Sequence, residues 1–470
     1  MTGLTQGSAV HKPQTARVPD QRNDGAKRSA AATPSVAKPP ASQCSDYWGE
    51  FQQTVPAVDG QTSVNTYICG YQPSQLRKSY GTDGVVKGGT TGKGVTVAII
   101  DAYASPTMES DANAYATTFG EPTFKPGQYT ETTFGPFNLQ DECAGEAGWN
   151  GEETLDVEAV HGMAPGASIH YIGAQNCDSG IDDALNYVVQ NHTADIVSNS
   201  YGNLGEDIGS DEIALEHSIF LQAALEGIGM YFSSGDDGDD VIDGLSPTPD
   251  YPASDPLVTA VGGTSLLLDK RNNRVTETGW ETSLDFIDYS GSTAVYSAPL
   301  PGEFVFGAGG GTSSVFAQPS YQRGVVPNSL SQVNGQQKMR VVPDISADAD
   351  PYTGFYIGET VDGQFGISSI GGTSLAAPLI AGIQAVASQH RRFPIGFANP
   401  MLYSINAHSF ADVLDTAKPI RFASVGASYT GTFNTGDTQT TTRGYDNTTG
   451  RGTPNGVTFL LSELIYPFRF

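Results

Sequence analysis

Ser374 stands where a run of small residues, Gly371-Gly372-Thr373-Ser374-Leu375-Ala376-Ala377-Pro378, passes into an apolar stretch from Leu379 to Val386. The pattern places one hydroxyl at the mouth of a helix. There it sits beside unpaired backbone N–H groups and the positive end of the helix dipole, a position suited to a nucleophile. The preceding glycines let a substrate backbone come close. Gly-Gly-Thr-Ser also ends at Ser265 and Ser313. Ser265 follows a strand and leads into another extended segment, and Ser313 lies in a Gly-rich loop. Both read as turns, and only Ser374 opens a long helix.

A nucleophilic serine needs a base, normally histidine. The seven histidines are His11, His161, His170, His192, His217, His390 and His408. Only His161, in His161-Gly162-Met163-Ala164-Pro165-Gly166, has a suggestive setting, and a packed or helix-terminal histidine explains it better. A carboxylate is the alternative. Gly151-Glu152-Glu153-Thr154-Leu155-Asp156 reads as a helix start, with Glu152 and Asp156 four apart on one face. Partly buried, such a pair shares a proton and one pKa rises. That gives a base usable in acid, where imidazole is already protonated. Taken alone, the same run is more often a solvated acidic helix start. A third element, Phe232-Ser233-Ser234-Gly235-Asp236-Asp237-Gly238, sets an acid at a strand end between glycines. Protonated, Asp236 donates a hydrogen bond to a developing oxyanion. The competing reading is an acidic turn or calcium loop, although the spacing is not that of an EF-hand.

The elements that position these residues alternate. Val95–Ile100 reads as a buried strand ending at Asp101, followed by helices near 108–118 and 152–161 and a strand at 168–173. A helix over 181–191, a strand at 195–200, a helix at 211–226 and strands at 228–234 and 258–261 continue the series. Alternation of this kind predicts an α/β fold, a parallel sheet covered on both faces. Ligands in such sheets bind at the carboxyl ends of strands, where Asp101, Ser198, Ser200 and Asp236 lie. Residues 1–43, rich in Ala, Pro, Ser, Lys and Gln, read as a disordered tail or linker. Residues 44–93 form a lead-in segment, and 94–470 the main domain.

The 470 residues carry 51 Asp and Glu against 24 Lys and Arg, a net charge of −27. That surface repels nucleic acid and anionic membranes, and it loses most of its self-repulsion near pH 4. No apolar run reaches the length of a membrane span. Cys44, Cys69, Cys143 and Cys177 form no CxxC pair, so zinc and thioredoxin-type chemistry are disfavoured. Cys44–Cys69 with Cys143–Cys177 is the local pairing, and the other two pairings stay open. Four cysteines with high Gly, Ser and Thr content favour an oxidising exterior, although no signal peptide is visible in residues 1–20. Gly88-Gly89-Thr90-Thr91-Gly92-Lys93 is followed by Gly94 and is no P-loop.

Glu152 with Asp156, Ser234-Gly235-Asp236-Asp237-Gly238, and Gly372 to Pro378, in that order, resemble the sedolisin family, the serine-carboxyl peptidases related to subtilisins. The resemblance covers roughly residues 70 to 470. It implies a subtilisin-like three-layer α/β fold with a central, mostly parallel sheet. By the resemblance Ser374 is the nucleophile, Glu152 the general base, Asp156 its orienting partner and Asp236 the oxyanion-hole acid. Asp101 matches an acidic position that extends the proton network behind Asp156; a structural strand-end aspartate is the other reading. Ser198-Asn199-Ser200-Tyr201-Gly202 resembles a substrate-edge strand, with Ser198, Ser200 and Gly202 as candidate contacts and Tyr201 where relatives often carry Trp. Asp412-Val413 and Thr442-Arg443-Gly444-Tyr445-Asp446 resemble the family's Ca²⁺ site. Asp412 and Asp446 would give carboxylate oxygens, and Val413, Thr442 and Gly444 backbone carbonyls; Thr442 replaces a usual glycine. All-oxygen coordination suits Ca²⁺. The expected protein is a secreted, monomeric, acid-active endopeptidase acting on polypeptides. The alternatives are a tripeptidyl-peptidase of the same family, a histidine-dependent subtilase, and a catalytically silent, calcium-stabilised binding protein.

Overall fold

Val97 to Ala102 is buried on both faces of the chain, as expected of a strand flanked by helices on either side. In the computed structural model, which describes residues 11–13, 16–18, 44–414, 416 and 418–466, this strand, Thr96–Ala102, lies inside an eight-stranded sheet. Its neighbours are Ser168–Ala174 and Ile196–Asn199, both parallel to it. Tyr129–Thr133 extends the sheet on one side; Gly229–Ser233, Thr259–Leu268 and Ile345–Asp348 extend it on the other, all parallel. Arg274–Gly279 closes the edge antiparallel. Helices Gly145–Met163 and Thr373–Ser388 pack on one face, with Ser179–Asn191 and Ser210–Glu226 on the other. The expected three-layer α/β fold is therefore present.

The Thr373–Ser388 helix is buried along its whole length, which explains why its sequence is apolar all round rather than striped. Gly382 fixes how closely it meets the Gly145–Met163 helix. A β-carbon there would stand 2.6 Å from that of Met163. The missing side chain lets two helices bearing chemistry on facing sides approach each other.

Three expectations change. The helix carrying Glu152 begins at Gly145, behind a left-handed Ala144, not near Gly151. Trp149 anchors this earlier start by donating its indole N–H to the Cys143 carbonyl at 2.9 Å. Glu152 thus lies well inside the helix, beyond the reach of its N-terminal dipole. Ser265 and Ser313 occupy strands, not turns. Their hydroxyls donate to Asp350 Oδ2 at 2.7 Å and Glu206 Oε1 at 2.6 Å. The glycines before Ser265 serve packing, since a β-carbon on Gly262 or Gly263 would meet Pro343 Cγ at 2.5 Å or Ala349 Cβ at 2.6 Å.

The lead-in segment supplies the hairpin Gln52–Val58/Gln61–Thr66, which joins a second, seven-stranded sheet through the C-terminal strand Ile420–Ala423. Cys44–Cys69 and Cys143–Cys177 are the disulfides. Of the expected tail 1–43, most lies outside the described residues. Residues 11–13 and 16–18 are ordered against the main domain: His11, Ala16 and Val18 are buried, and Lys12–Pro13 forms a short strand. No helix among the described residues is long and apolar enough to cross a membrane.

Candidate active site

The facing helices bring Ser374 and the two carboxylates together. Ser374 is the second residue of its helix, behind Gly372, whose φ of 113° needs a glycine. Pro378 lies four residues on and has no N–H, so the helix leaves the Ser374 carbonyl without its usual partner. The Ser200 hydroxyl fills that gap. It lies 2.8 Å from Asp156 Oδ1 and 3.3 Å from the Ser374 carbonyl oxygen. Ser200 therefore ties Asp156 to the backbone of the nucleophile. The Ser374 hydroxyl donates weakly to the Ser200 carbonyl, at 3.4 Å.

Glu152 faces Ser374. Burial holds its carboxyl well above the usual range, the charges of Asp156 and Asp101 push it further, and the Ser374 hydroxyl pulls it back. Neither Glu152 oxygen completes a hydrogen bond among the described residues, so the serine–base hydrogen bond is not formed here. Such contacts commonly tighten only when substrate binds. Asp156 is raised by burial and then by Asp101, and lowered by Ser200. Burial pushes Asp101 up to about 8, and neither of its oxygens has a partner among the described residues. Asp101 thus bears on Glu152 and Asp156 through its charge.

Asp236 ends the segment after the strand Gly229–Ser233 and meets the nucleophile's helix at its first residue. Its Oδ1 accepts the Thr373 N–H at 2.8 Å and the Thr373 hydroxyl at 2.9 Å. Burial raises its pKa against these two bonds, and Oδ2 has no partner among the described residues. Gly235 before it has φ 111°, and a β-carbon there would stand 2.4 Å from Asp250 Oδ2. A buried carboxylic acid at a helix start, one oxygen fixed and one free, is built to donate a proton in a hydrogen bond.

Two stretches of the chain's own N-terminal part, residues 11–13 and 16–18, pair with the backbone around this site. Lys12 and Pro13 pair antiparallel with Gly202 and Tyr201. Beyond them, Ala16 exchanges two backbone hydrogen bonds with Gly371, at 3.1 and 2.8 Å. Gly371 is three residues before Ser374, and Gly202 two after Ser200. Backbone pairing is thus available to a polypeptide both at the strand after Ser200 and at Gly371, before the nucleophile. Gly202 lines that track through its backbone, whereas Ser200 faces Asp156 and Ser198 is buried in its strand with its hydroxyl unpartnered.

The calcium-ligand candidates also converge. Gly444 N–H donates to Asp412 Oδ1 at 2.9 Å, and Thr442 N–H to Asp446 Oδ2 at 3.0 Å. These bonds draw both carboxylates and the 442–446 loop together beside Val413. Asp446 is buried and raised to about 6 by that burial, the setting in which a hard cation would relieve a desolvated carboxylate.

His161 packs away from the site. Its Nε2 lies 2.6 Å from the Pro122 carbonyl, its ring stacks near Phe124, and burial lowers its pKa. Sequence reasoning missed Thr373, which fixes Asp236; Glu153, buried and accepting the Ser105 N–H at 2.6 Å; and the 11–18 segment. Thr373 had a signal in its place at the first helical position. The polar composition of 11–18 gave none.

The sequence profile of the Subtilase family matches residues 92–405. Over 327 residues the chain is 34% identical to kumamolisin from Bacillus sp. (strain MN-32), covering 67% of this chain and 51% of the relative. It is 31% identical over 279 residues to sedolisin from Pseudomonas sp. (strain 101), covering 57% of this chain and 42% of sedolisin. Homo sapiens tripeptidyl-peptidase 1 is 26% identical over 441 residues, 88% of this chain and 68% of that protein. The chain thus spans about half the length of the first two relatives. Among solved structures, Pseudomonas sedolisin, a serine-carboxyl proteinase complexed with two molecules of pseudo-iodotyrostatin, superposes with a TM-score of 0.63 at 24% identity. That match covers 83% of this chain and 97% of the other, and shows a shared fold.

Proposed function

The chain belongs to the sedolisin family, within the subtilases, and on that premise we propose that it is a secreted, acid-active serine-carboxyl endopeptidase. The carrying observation is the burial of Ser374 beside Glu152, whose pKa it lowers, and beside Asp156, tied to its backbone through Ser200, where a neutral-pH serine peptidase has histidine. No histidine hydrogen-bonds to Ser374 among the described residues.

In this reading Ser374 Oγ attacks the scissile carbonyl carbon while Glu152 takes its proton. The carbonyl oxygen becomes an oxyanion and accepts a hydrogen bond from protonated Asp236. Collapse breaks the C–N bond, Glu152 returns the proton to the leaving amine, and an acyl-enzyme remains on Ser374. Water, deprotonated by Glu152, releases the second product by the same steps in reverse. Asp156, fixed by Ser200, acts on Glu152 through its charge, raising Glu152's proton affinity. Burial that favours neutral Asp236 suits work at low pH, where imidazole would be protonated.

The endopeptidase mode is supported by two separate backbone pairings of this chain's own residues, Lys12–Pro13 with Gly202–Tyr201 and Ala16 with Gly371, which offer polypeptide binding beyond a single terminal subsite. The two disulfides support an oxidising exterior. Asp412, Val413, Thr442, Gly444 and Asp446 would hold a Ca²⁺ ion, whose part is to tie the C-terminal loops to the domain. Ser374→Ala and Glu152→Ala should each abolish haemoglobin hydrolysis at pH 3–5, and full activity in either variant would sink the assignment. Mass spectrometry of the wild-type digest separates internal cleavage from stepwise tripeptide release.

A further inference from the structure

His11 of the cleft-bound segment enters a buried acidic pocket that the chemistry above does not use. Its walls are Asp182, on the helix Ser179–Asn191, and Glu216, on the helix Ser210–Glu226. His11 Nε2 lies 3.4 Å from Glu216 Oε1, and both side chains are almost wholly buried. The Tyr201 ring meets the imidazole edge-on with centroids 5.2 Å apart. Asn203 Nδ2 lies 3.1 Å from His11 Nδ1. An amide offers either its nitrogen or its oxygen there, so the pocket accepts imidazole and imidazolium alike. The His11 N–H donates to the Cys177 carbonyl at 2.8 Å, which locks the backbone at the pocket mouth.

The pocket asks for a cation. Glu216 is fully buried, yet neither of its oxygens has a hydrogen-bond partner among the described residues, and Asp182 Oδ1 has none. An unpaired buried carboxylate costs several kcal/mol, and a paired one far less. Burial, then the charge of Glu216, pushes Asp182 up to about 9, so Asp182 holds its proton unless a cation stands beside it. Glu212, on the same helix as Glu216, adds to that pressure. An apolar side chain in this space would leave the remaining charge unanswered.

Resting on the peptidase reading, we propose that Asp182 and Glu216 form a substrate subsite selecting a basic side chain, with His11 as its occupant from this chain. The register gives its place. Pro13 pairs with Tyr201, next to Ser200 whose carbonyl receives the Ser374 hydroxyl, and Ala16 pairs with Gly371, three residues before Ser374; the proposal places the cut of a substrate in this register between those two positions. The pocket then takes the residue three to five places before the cut bond.

The test uses the full chain and peptides in which one lysine, against norleucine as its apolar isostere, is walked through the six positions before the cleaved bond. kcat/KM is read at pH 5 and the cleaved bond is identified by mass spectrometry. Residues 11–18 compete with both peptides alike, so the ratio is free of their effect. Lysine should be preferred by about tenfold at a position three to five residues before the bond and nowhere else. In Glu216→Gln the ratio should fall to about twofold or less. Equal rates at every position in the wild-type chain, which requires no variant to fold, overturn the subsite and leave the peptidase reading standing. A chain that cleaves no peptide overturns the peptidase reading. The subsite is then judged by fluorescence anisotropy of the same labelled peptides, and equal affinity for lysine and norleucine overturns it too. A lysine preference abolished by EDTA would assign His11, Asp182 and Glu216 to a metal ion and would also overturn it.

Discussion

Replacing Asp236 by asparagine separates the shape of that residue from its proton. Thr373 already saturates Oδ1 with two donors at 2.8 and 2.9 Å. A proton on Asp236 therefore belongs on Oδ2, which has no partner among the described residues. Burial raises the folded-state pKa above the ordinary carboxylate range, against the lowering effect of Thr373. The sign follows: the donor is fully present at low pH and is lost as pH rises through the folded pKa. In Asp236→Asn the amide oxygen keeps both Thr373 bonds while the amide nitrogen donates at every pH. The variant should retain activity within about tenfold of the parent at pH 4, and its alkaline limb should move to higher pH. Asp236→Ala removes the donor. It should lower kcat about 10²- to 10³-fold, or about 3–4 kcal/mol, with little change in KM, because the bond forms to the oxyanion rather than to bound substrate. Thr373→Val deletes one of the two bonds that hold the pKa down, and should raise the alkaline limb by about one unit.

The assay is kcat and KM on one fluorogenic peptide from pH 3 to 8, with far-UV circular dichroism at each pH to confirm folding. An Asp236→Ala variant with kcat within about threefold of the parent refutes the oxyanion role, since one such donor is worth far more. An Asp236→Asn variant with an unchanged alkaline limb shows that a different group sets that limb.

Calcium removal should lower the melting temperature. A site filled to about 1,000 times its Kd contributes about 4 kcal/mol, and an unchanged melting temperature in EGTA would remove Asp412 and Asp446 from that role. Asp101→Asn should change how stability depends on pH. A carboxyl raised to about 8 costs stability as pH rises from its ordinary 3.8 towards 8, so the variant's advantage should grow by about 3 kcal/mol between pH 3.8 and 6. Urea unfolding at the two pH values checks this, and a constant difference would mean that Asp101 is not held protonated.

The alternating strands and helices were legible because the parallel sheet is buried on both faces and its strands read as apolar runs, Val97 to Ile100 above all. The place of Ser374 was legible because glycines before a helix carry a conformational signal, and Gly372 sits at positive φ. The carboxylates were harder. Glu152, Glu153, Asp156 and Glu158 are all buried, yet acidic residues on a helix ordinarily announce a solvated face. Nothing local in the sequence marks burial by a helix more than 200 residues away. The resemblance to a family supplied what periodicity did not. His11 shows the other limit. Its segment has too few apolar residues to predict order, because its order comes from backbone pairing with Tyr201, Gly202 and Gly371, and main-chain pairing leaves no trace in side-chain composition. One physical device serves both places. Carboxylates are withdrawn from water until they bind a proton readily or find a cation: Asp236 keeps its proton for the oxyanion, Glu152 is primed to take one from Ser374, and Asp182 and Glu216 hold His11. The surplus of acid that reads in the sequence as surface charge is, in these four residues, interior and directed at the cleft.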